Sequence, residues 1–534
     1  MITDSPTAPQ NTKKANIQNT LVANAALTRQ SEYRMASLAD LDGVPIDLAN
    51  HLLDLHWNRQ HHTFLLTYRP EITRGILENG EFGSKFLLNS IFACASKFST
   101  RPEVRESGPR FFRRCEEIMS TENLLLHPSL PTIVGLLLLG STFVARGVTT
   151  KGWLLTGYAL RMVYDLGLHI DRKGAENDII ESEVRKRIFW GAFVCDKLQS
   201  LYLGRPFAIK LRDAHVSLEL NDIMEEHELW TPYDDQKAES AGDTMRFPTY
   251  SVSCFQRLCL LSKIMTRIID EFYVVGATVL SAQSSLRSID DLLRQWEINL
   301  PEGLRLGPER DASPTFRHAP NVLCLHIIHN ALIILLHRPL VADGHLRSAS
   351  PPAVSWKRCS EAAERITLIV SSYRCLYTLR GAPYLISYGL YVACTIHVRN
   401  NGATTNEIAS ENKSILERSV RWLEELAVPN PAVSRTVCII RKLMEARGVR
   451  LEPEAEPIGI ISGEETSCIT ESNRENEFNC DGVVAGMNSW NDPQFLVNEW
   501  DESFSDDLLY GFMDQQVPFD DPIPEFDIGS LGQI

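Results

Sequence analysis

His326 and His329 stand three positions apart and are the chain's nearest approach to a metal-binding pair. On a helix, side chains at that spacing share a face, so two imidazoles can converge on one ion. No cysteine or carboxylate pattern accompanies them, and they interrupt the apolar run Val322–Leu336, so the expected role is that of core histidines bonded to their neighbours. Cys254 and Cys259 are the most closely spaced cysteines, and one such pair is expected to pack in a core rather than bind zinc. The arginine-rich run Arg101–Arg114 has a composition that can touch phosphate. Glu103, Glu106, Glu116 and Glu117 interrupt or border it, which marks a solvated helix surface. There is no G-x-S-x-G elbow, no G-x-x-x-x-G-K-S/T phosphate loop, no G-x-G-x-x-G and no H-E-x-x-H. The expectation is therefore no enzyme, and no catalytic, metal or cofactor-binding residue is assigned.

The elements that would position any site read as helices. Leu48, Leu52, Leu53 and Leu55 lead into Trp57 at helical spacing, and Phe86–Phe98 is a second apolar helix ended before Pro102. Pro131–Arg146 is apolar almost all round and should be buried. The stretch from Thr150 to Leu166 is amphipathic, with Gly167 placed to stop it in the left-handed conformation. Asn177 or Asp178 can cap a helix over Ile180–Leu201. After a polar connection, Leu211–Phe247, helical patterns resume at Val252–Phe272, Leu286–Ile298, Val322–Leu336, Ser355–Tyr373, Pro383–Val398 and Ser414–Leu426. Sustained period-two alternation is almost absent, so the fold class is all-α. Three regions follow: a disordered segment 1–43, an all-helical domain 44–448, and a disordered acidic tail 449–534.

The net charge of −15 belongs to the tail. Between Leu451 and Ile534 there are 20 Asp and Glu against the single basic residue Arg474, while the rest is nearly neutral. Twelve cysteines are scattered singly, as expected of reduced, mostly buried thiols. The N-terminus shows no charged region followed by an apolar one, so no secretory signal is expected. No run reaches the roughly 18–20 apolar residues of a membrane span. In the tail, Phe495, Trp500, Phe504, Leu508, Leu509, Tyr510, Phe512 and Phe519 alternate with acids. That pattern suits a segment that folds onto a hydrophobic groove with a basic rim as a short amphipathic helix.

Two blocks are more specific. The first runs from Trp153 through Gly157, Ala159 and Arg161 to Leu166-Gly167-Leu168-His169-Ile170-Asp171. The second comprises Glu183, Arg185, Lys186, Arg187, Phe189, Trp190, Phe193, Asp196, Lys197 and Ser200, then Gly204-Arg205-Pro206 and Ile209. Together they resemble the middle homology, or regulatory, domain of fungal-specific zinc-cluster transcription factors, of the xylanolytic-activator regulatory type. Ile334–Leu340, with its His337-Arg338-Pro339, is similar to a later segment of that family, and Val44–Thr67 resembles its opening helix. The resemblance covers roughly residues 44–440 and is most specific over 131–210. Physically the motif residues read as a folding signature. Trp153, Phe189, Trp190 and Phe193 supply apolar area to a helical core. Gly157 and Ala159 admit a close partner helix, and Gly204 ends the second helix ahead of Pro206. Arg161, Arg185 and Arg205 are expected to pair with Asp165, Asp171 or Asp196.

The resemblance implies a nuclear transcription regulator whose acidic tail engages coactivators. It also implies zinc, bound by an N-terminal six-cysteine cluster that reads promoter DNA. Here the first cysteine is Cys94, and nowhere does the required spacing occur. Two readings stay open: the cluster lies upstream in a longer protein, or the chain lacks it and reaches promoters through a partner factor. The alternative function is a co-regulator that does not bind DNA, or a helical scaffold. A homodimer stays open too, since no heptad stretch flanks the helical region.

Overall fold

The computed structural model describes residues 8–449, apart from 172–178, 231–246, 275, 308–315, 317, 342–343, 345, 347–352 and 402–405. Among the described residues there are fifteen helices of ten residues or more and one two-stranded hairpin, β1 Asp40–Leu41 with β2 Val44–Pro45, so the class is all-α. The helices are α1 Ala8–Ser31, α2 Ile46–His56, α3 Arg69–Glu78, α4 Lys85–Ala95 and α5 Pro102–Thr121. Then come α6 Leu130–Ala145, α7 Thr149–Asp165, α8 Ile179–Leu203, α9 Ser251–Phe272 and α10 Val279–Ile298. The last five are α11 Pro320–His337, α12 Ala353–Leu376, α13 Tyr384–Asn401, α14 Asn406–Ala427 and α15 Val433–Ala446.

Local chemistry sets the ends of these helices. Ser84 and Ser129 accept the N–H groups of Leu87 and Thr132 at 3.2 and 3.3 Å and so cap α4 and α6. Pro102, Pro131 and Pro320 occupy first-turn positions, where a missing N–H costs nothing. Gly167, at φ 63°, ends α7: its N–H reaches the Tyr164 carbonyl and the Leu168 N–H reaches that of Val163. Gly204, at φ 66°, does the same service for α8.

Helix α6 packs against α4, α7 and α8. It approaches α7 so closely that a Cβ on Gly152 would stand 2.6 Å from the Gly140 carbonyl oxygen. In the other half α11 is central, packed against α9, α10, α12 and α13, with every residue from Val322 to His337 buried. The segment Pro320–Leu340 has the length and apolarity of a membrane span, longer than the sequence reading allowed, and its most apolar window is 89% buried inside the bundle. The two halves share one continuous core. The Tyr202 and Tyr384 rings meet edge-on at 5.5 Å, and the Ala432 N–H bonds the Ala145 carbonyl at 3.3 Å.

Several elements differ from the sequence reading. The segment expected to be disordered, 1–43, is helical from Ala8, and Leu21 and Ala25 bury one turn apart against the bundle. Helices α3 and α15 were not anticipated; both carry short apolar faces, with Ile72 in the first and Val437, Ile440 and Met444 in the second. Trp153 lies on the outer face of α7 at 38% exposure instead of in the core, and a Cβ on Gly157 would meet only open space. The close helix–helix approach belongs to Gly140 and Gly152. The cap expected at Asn177 or Asp178 and the whole tail from residue 450, including Phe495 to Phe519, lie outside the described residues.

Candidate functional site

The turn that follows α2 holds an unusual concentration of imidazoles. Trp57–His61 winds as a π-helix, a conformation that carries an extra residue per turn and re-aims side chains, and His62–Phe64 continues it until Leu65 turns left-handed at φ 43°. His56 and His61 both bond the Thr67 hydroxyl at 2.8 Å, and His62 bonds the Ser251 hydroxyl at 2.7 Å. Burial pulls His56 and His62 down to about 3, so both stay neutral at physiological pH.

His61 Nε2 continues the chain of contacts to Glu225 at 3.0 Å, and from there to a sealed ionic cluster. Arg187 donates to Glu183 at 3.1 Å, to Glu225 at 3.3 Å and to the Asp222 carbonyl at 3.0 Å, and it lies over the Tyr68 ring at 4.9 Å. Tyr68 donates to Asp222 at 2.6 Å. The Glu183 carboxylate also takes the N–H groups of Asn221 and Asp222. Burial lowers the Arg187 guanidinium, but Glu183, Glu225 and Asp222 outweigh it and hold the charge on firmly. Burial likewise raises Glu225, yet His61 and Arg187 keep its carboxyl well below the ordinary range. The cluster fastens the connection after α8 to the N-terminal part of α8, because a buried charge is tolerated only when paired and bonded.

The other motif residues serve the same connection. Asp196 accepts the N–H groups of Ala208 and Ile209, while Lys197 donates to Asp196 and to the Ile209 carbonyl, which clamps the Gly204-Arg205-Pro206 turn against α8. His169 and Asp171 run beside His215–Ser217: the His215 N–H reaches the His169 carbonyl at 2.7 Å, and Asp171 accepts the Ser217 N–H at 2.8 Å. Trp190 donates its indole N–H to the Ser217 carbonyl at 3.0 Å, and Phe189 is fully buried.

The expected arginine–aspartate pairs take a different form. Arg185 donates to the Leu166 and Gly167 carbonyls at the end of α7, where a cation offsets the helix dipole, and lies 3.7 Å from Glu181. Arg205 lies over the exposed Trp153 ring at 5.2 Å, and Arg161 is exposed. Asp171 and Asp196 are taken up by backbone N–H groups of the connection after α8. His326 and His329 bond the carbonyls of Leu304 and Leu293, and His329 stacks on Trp296 at 4.8 Å. Burial brings both down to about 4. Cys254 and Cys259 are buried singly.

A cavity of about 60 Å³ opens beside the π turn. Its walls come from the turn itself, the end of α4, the α6 face at Leu137, Leu138 and Ser141, and the start of α13. On the far side of His61 lies a second, wetter cavity of about 190 Å³, bordered by Arg29, Arg69, Glu225 and Glu228. Sequence reading missed His56, His61, Tyr68, Asp222 and Glu225 as a set. Only Glu183 and Arg187, four apart on one helix, carried a signal.

Residues 53–298, which contain the π turn, the ionic cluster and the clamped Gly-Arg-Pro turn, match the family described as the fungal specific transcription factor domain. Residues 53–298 form a fungal specific transcription factor domain. Among similar proteins, an uncharacterized transcriptional regulatory protein of Schizosaccharomyces pombe is 30% identical over 342 residues, 62% of this chain and 53% of its own length. The nitrogen assimilation transcription factor nirA of Emericella nidulans is 28% identical, over 66% of this chain and 40% of its own. A Zn(2)-C6 fungal-type transcription factor, FTF1c of Fusarium oxysporum f. sp. lycopersici, is 22% identical, over 71% of this chain and 44% of its own. The chain thus spans about half or less of the length of these relatives.

The cysteines of the fungal specific transcription factor domain do not fit the binuclear zinc cluster that the resemblance implies. Burial pushes Cys94 up to about 11 and Cys195 up to about 12, so neither offers a thiolate. Among the described residues no three His, Cys, Asp or Glu side chains are grouped to hold a metal.

Proposed function

We propose that this chain is the regulatory and activating portion of a fungal transcription regulator that works in the nucleus. The observation that carries the reading is the match of residues 53–298 to the fungal specific transcription factor domain, joined to relatives named as transcription regulators. The all-helical body supplies a rigid platform fastened by buried ion pairs, and the acidic, aromatic-rich segment Phe495–Ile528 supplies a surface for coactivators. Promoter DNA is reached through a zinc cluster elsewhere in the protein or through a partner factor.

The test is a reporter assay with the chain fused to an unrelated DNA-binding module. Output well above the module alone is expected, and removal of Phe495–Ile528 should bring it back to background. Full output without that segment would move the activating role elsewhere, and no output from the intact fusion would overturn the reading.

A further inference from the structure

The larger cavity, on the far side of His61, is walled by groups from four places in the chain: Arg29 of α1, the π turn, Arg69 at the start of α3, and Glu225 and Glu228 of the connection after α8. The charges on this wall are already matched. Arg29 lies 3.0 Å from Glu228 and 3.5 Å from Glu32, and Arg69 holds both oxygens of Glu32 at 2.7 and 2.8 Å. Glu225 meets His61 and Arg187 through Oε2. The hydrogen-bonding capacity of the same wall is not matched. Glu225 Oε1 and Glu228 Oε2 have no partner among the described residues, although a carboxylate can accept about four bonds. Trp57 is only 7% exposed, yet its indole N–H has no acceptor, and the Asn58 amide has no partner of any kind.

The tautomer of His62 follows from its neighbours. Thr249 donates its hydroxyl to the Glu225 carbonyl at 2.9 Å, so Ser251 must donate to Thr249, at 2.8 Å. The Ser251 oxygen is then left to accept from His62 Nδ1, at 2.7 Å. With the ring held neutral by burial, Nε2 is a bare acceptor, and it too has no partner. The wall thus offers three unused acceptors, one unused donor, and one amide that is both.

We propose that this cavity binds a small neutral polyol, its hydroxyls donating to Glu225, Glu228 and His62 and accepting from Trp57 and Asn58. A hydroxyl gives one hydrogen bond and takes others through the same atom, which suits a wall of mixed unused groups. A charged ligand would lose its hydration and find every opposite charge already taken. Size limits the class further: a cavity of about 150 Å³ accepts a six-membered ring, so this one, of about 190 Å³, takes about six to eight non-hydrogen atoms. That is the range of a three- or four-carbon polyol. An occupant would bridge α1, the π turn and the connection after α8, which meet at this cavity. The proposal does not depend on the transcriptional reading.

The experiment is a ligand-observed NMR titration of the full chain with three four-carbon compounds. Erythritol carries four hydroxyls, butane-1,4-diol lacks the middle two, and 1,4-diaminobutane is a dication. Erythritol is expected to bind at least about tenfold more tightly than the diol, as the loss of two hydrogen bonds requires, and the diamine no better than the diol. Asn58→Leu removes an amide that holds nothing in the free protein, and Trp57→Phe keeps a ring and removes the N–H. A severalfold loss of erythritol affinity in either variant, with an unchanged circular dichroism spectrum, supports the site. Binding of none of the three, equal binding of erythritol and the diol, tighter binding of the diamine, or an erythritol affinity unchanged in both variants would overturn the proposal. If neither variant folds, the comparison of the three compounds on the unaltered chain decides.

Discussion

Arg187 Nη1 lies 3.3 Å from Glu225 Oε2, with both side chains buried and 38 positions apart along the chain. The pair ties α8 to a connection whose described residues have almost no regular structure of their own. Breaking one partner of such a contact leaves the other buried and unmatched, which typically costs about 3–5 kcal/mol. Arg187→Leu, which strands Glu183 and Glu225 together, should therefore lower the melting temperature by many degrees or leave the chain insoluble. Melting at the unaltered temperature would show that the cluster carries no such burden.

The Gly140–Gly152 approach makes a contrast between two glycines on α7. A Cβ on Gly152 meets the Gly140 carbonyl oxygen at 2.6 Å and the Val144 nitrogen at 2.9 Å, and neither backbone atom can swing aside. Gly152→Val should cost at least about 1–3 kcal/mol through forced helix separation. Gly157→Ala, five residues on and facing open space, should be neutral or gain up to about 1 kcal/mol from helix propensity. Thermal melts of the two variants side by side test the assignment.

Acid should unfold the domain earlier than carboxylate chemistry alone predicts. Burial depresses His56 and His62 to about 3 and His326, His329 and His397 to about 4. Each binds a proton more readily in the unfolded chain, near the ordinary value of about 6.5, so its contribution is intact above that pH and is lost as pH falls toward its folded value. Each histidine then removes up to about 1.4 kcal/mol per pH unit below about 6.5. The melting temperature should fall steeply between pH 6.5 and 5, and a flat profile over that window would contradict the burial of these rings.

The two large aromatics of the motif blocks should behave unlike one another. Phe189 is fully buried, and Phe189→Ala should cost about 3–5 kcal/mol. Trp153 is part-exposed under Arg205, and Trp153→Ala should forfeit only about 0.5–1 kcal/mol from the cation–π contact, plus some packing. A Trp153 variant as damaged as the Phe189 one would place that ring in an interface with another molecule.

Helix positions were legible wherever an apolar stripe was long, as at Val252–Phe272 or Val322–Leu336, because burial and periodicity report the same thing there. Short helices such as Arg69–Glu78 gave too few apolar residues to register, and the N-terminal helix hides two inward residues, Leu21 and Ala25, among Asn and Thr. Motif positions were found by type, but their partners were not. Arg185 donates to the carbonyls at the end of α7, and nothing in the spacing of Arg185 and Asp171 reveals that. The His-rich turn did not read as a bonded cluster, because a π-helix has no periodic signature, and because Asp222 and Glu225 arrive from a connection with no pattern of its own.

The boundary of the family match, residue 298, is not a place where this protein can be cut. Helix α11, which begins 22 residues later, fills the centre of its half with side chains that never see water, and Tyr384 and Asn430 close over the earlier helices from further still. A fragment ending at 298 would present the greasy flanks of α9 and α10 to the cytosol during synthesis. It would call on chaperones, aggregate, or be degraded, and its inactivity in any assay would report on that exposure rather than on regulation. Early stop codons anywhere before about residue 446 should accordingly behave as complete losses of the protein, whatever they leave intact of the motif blocks.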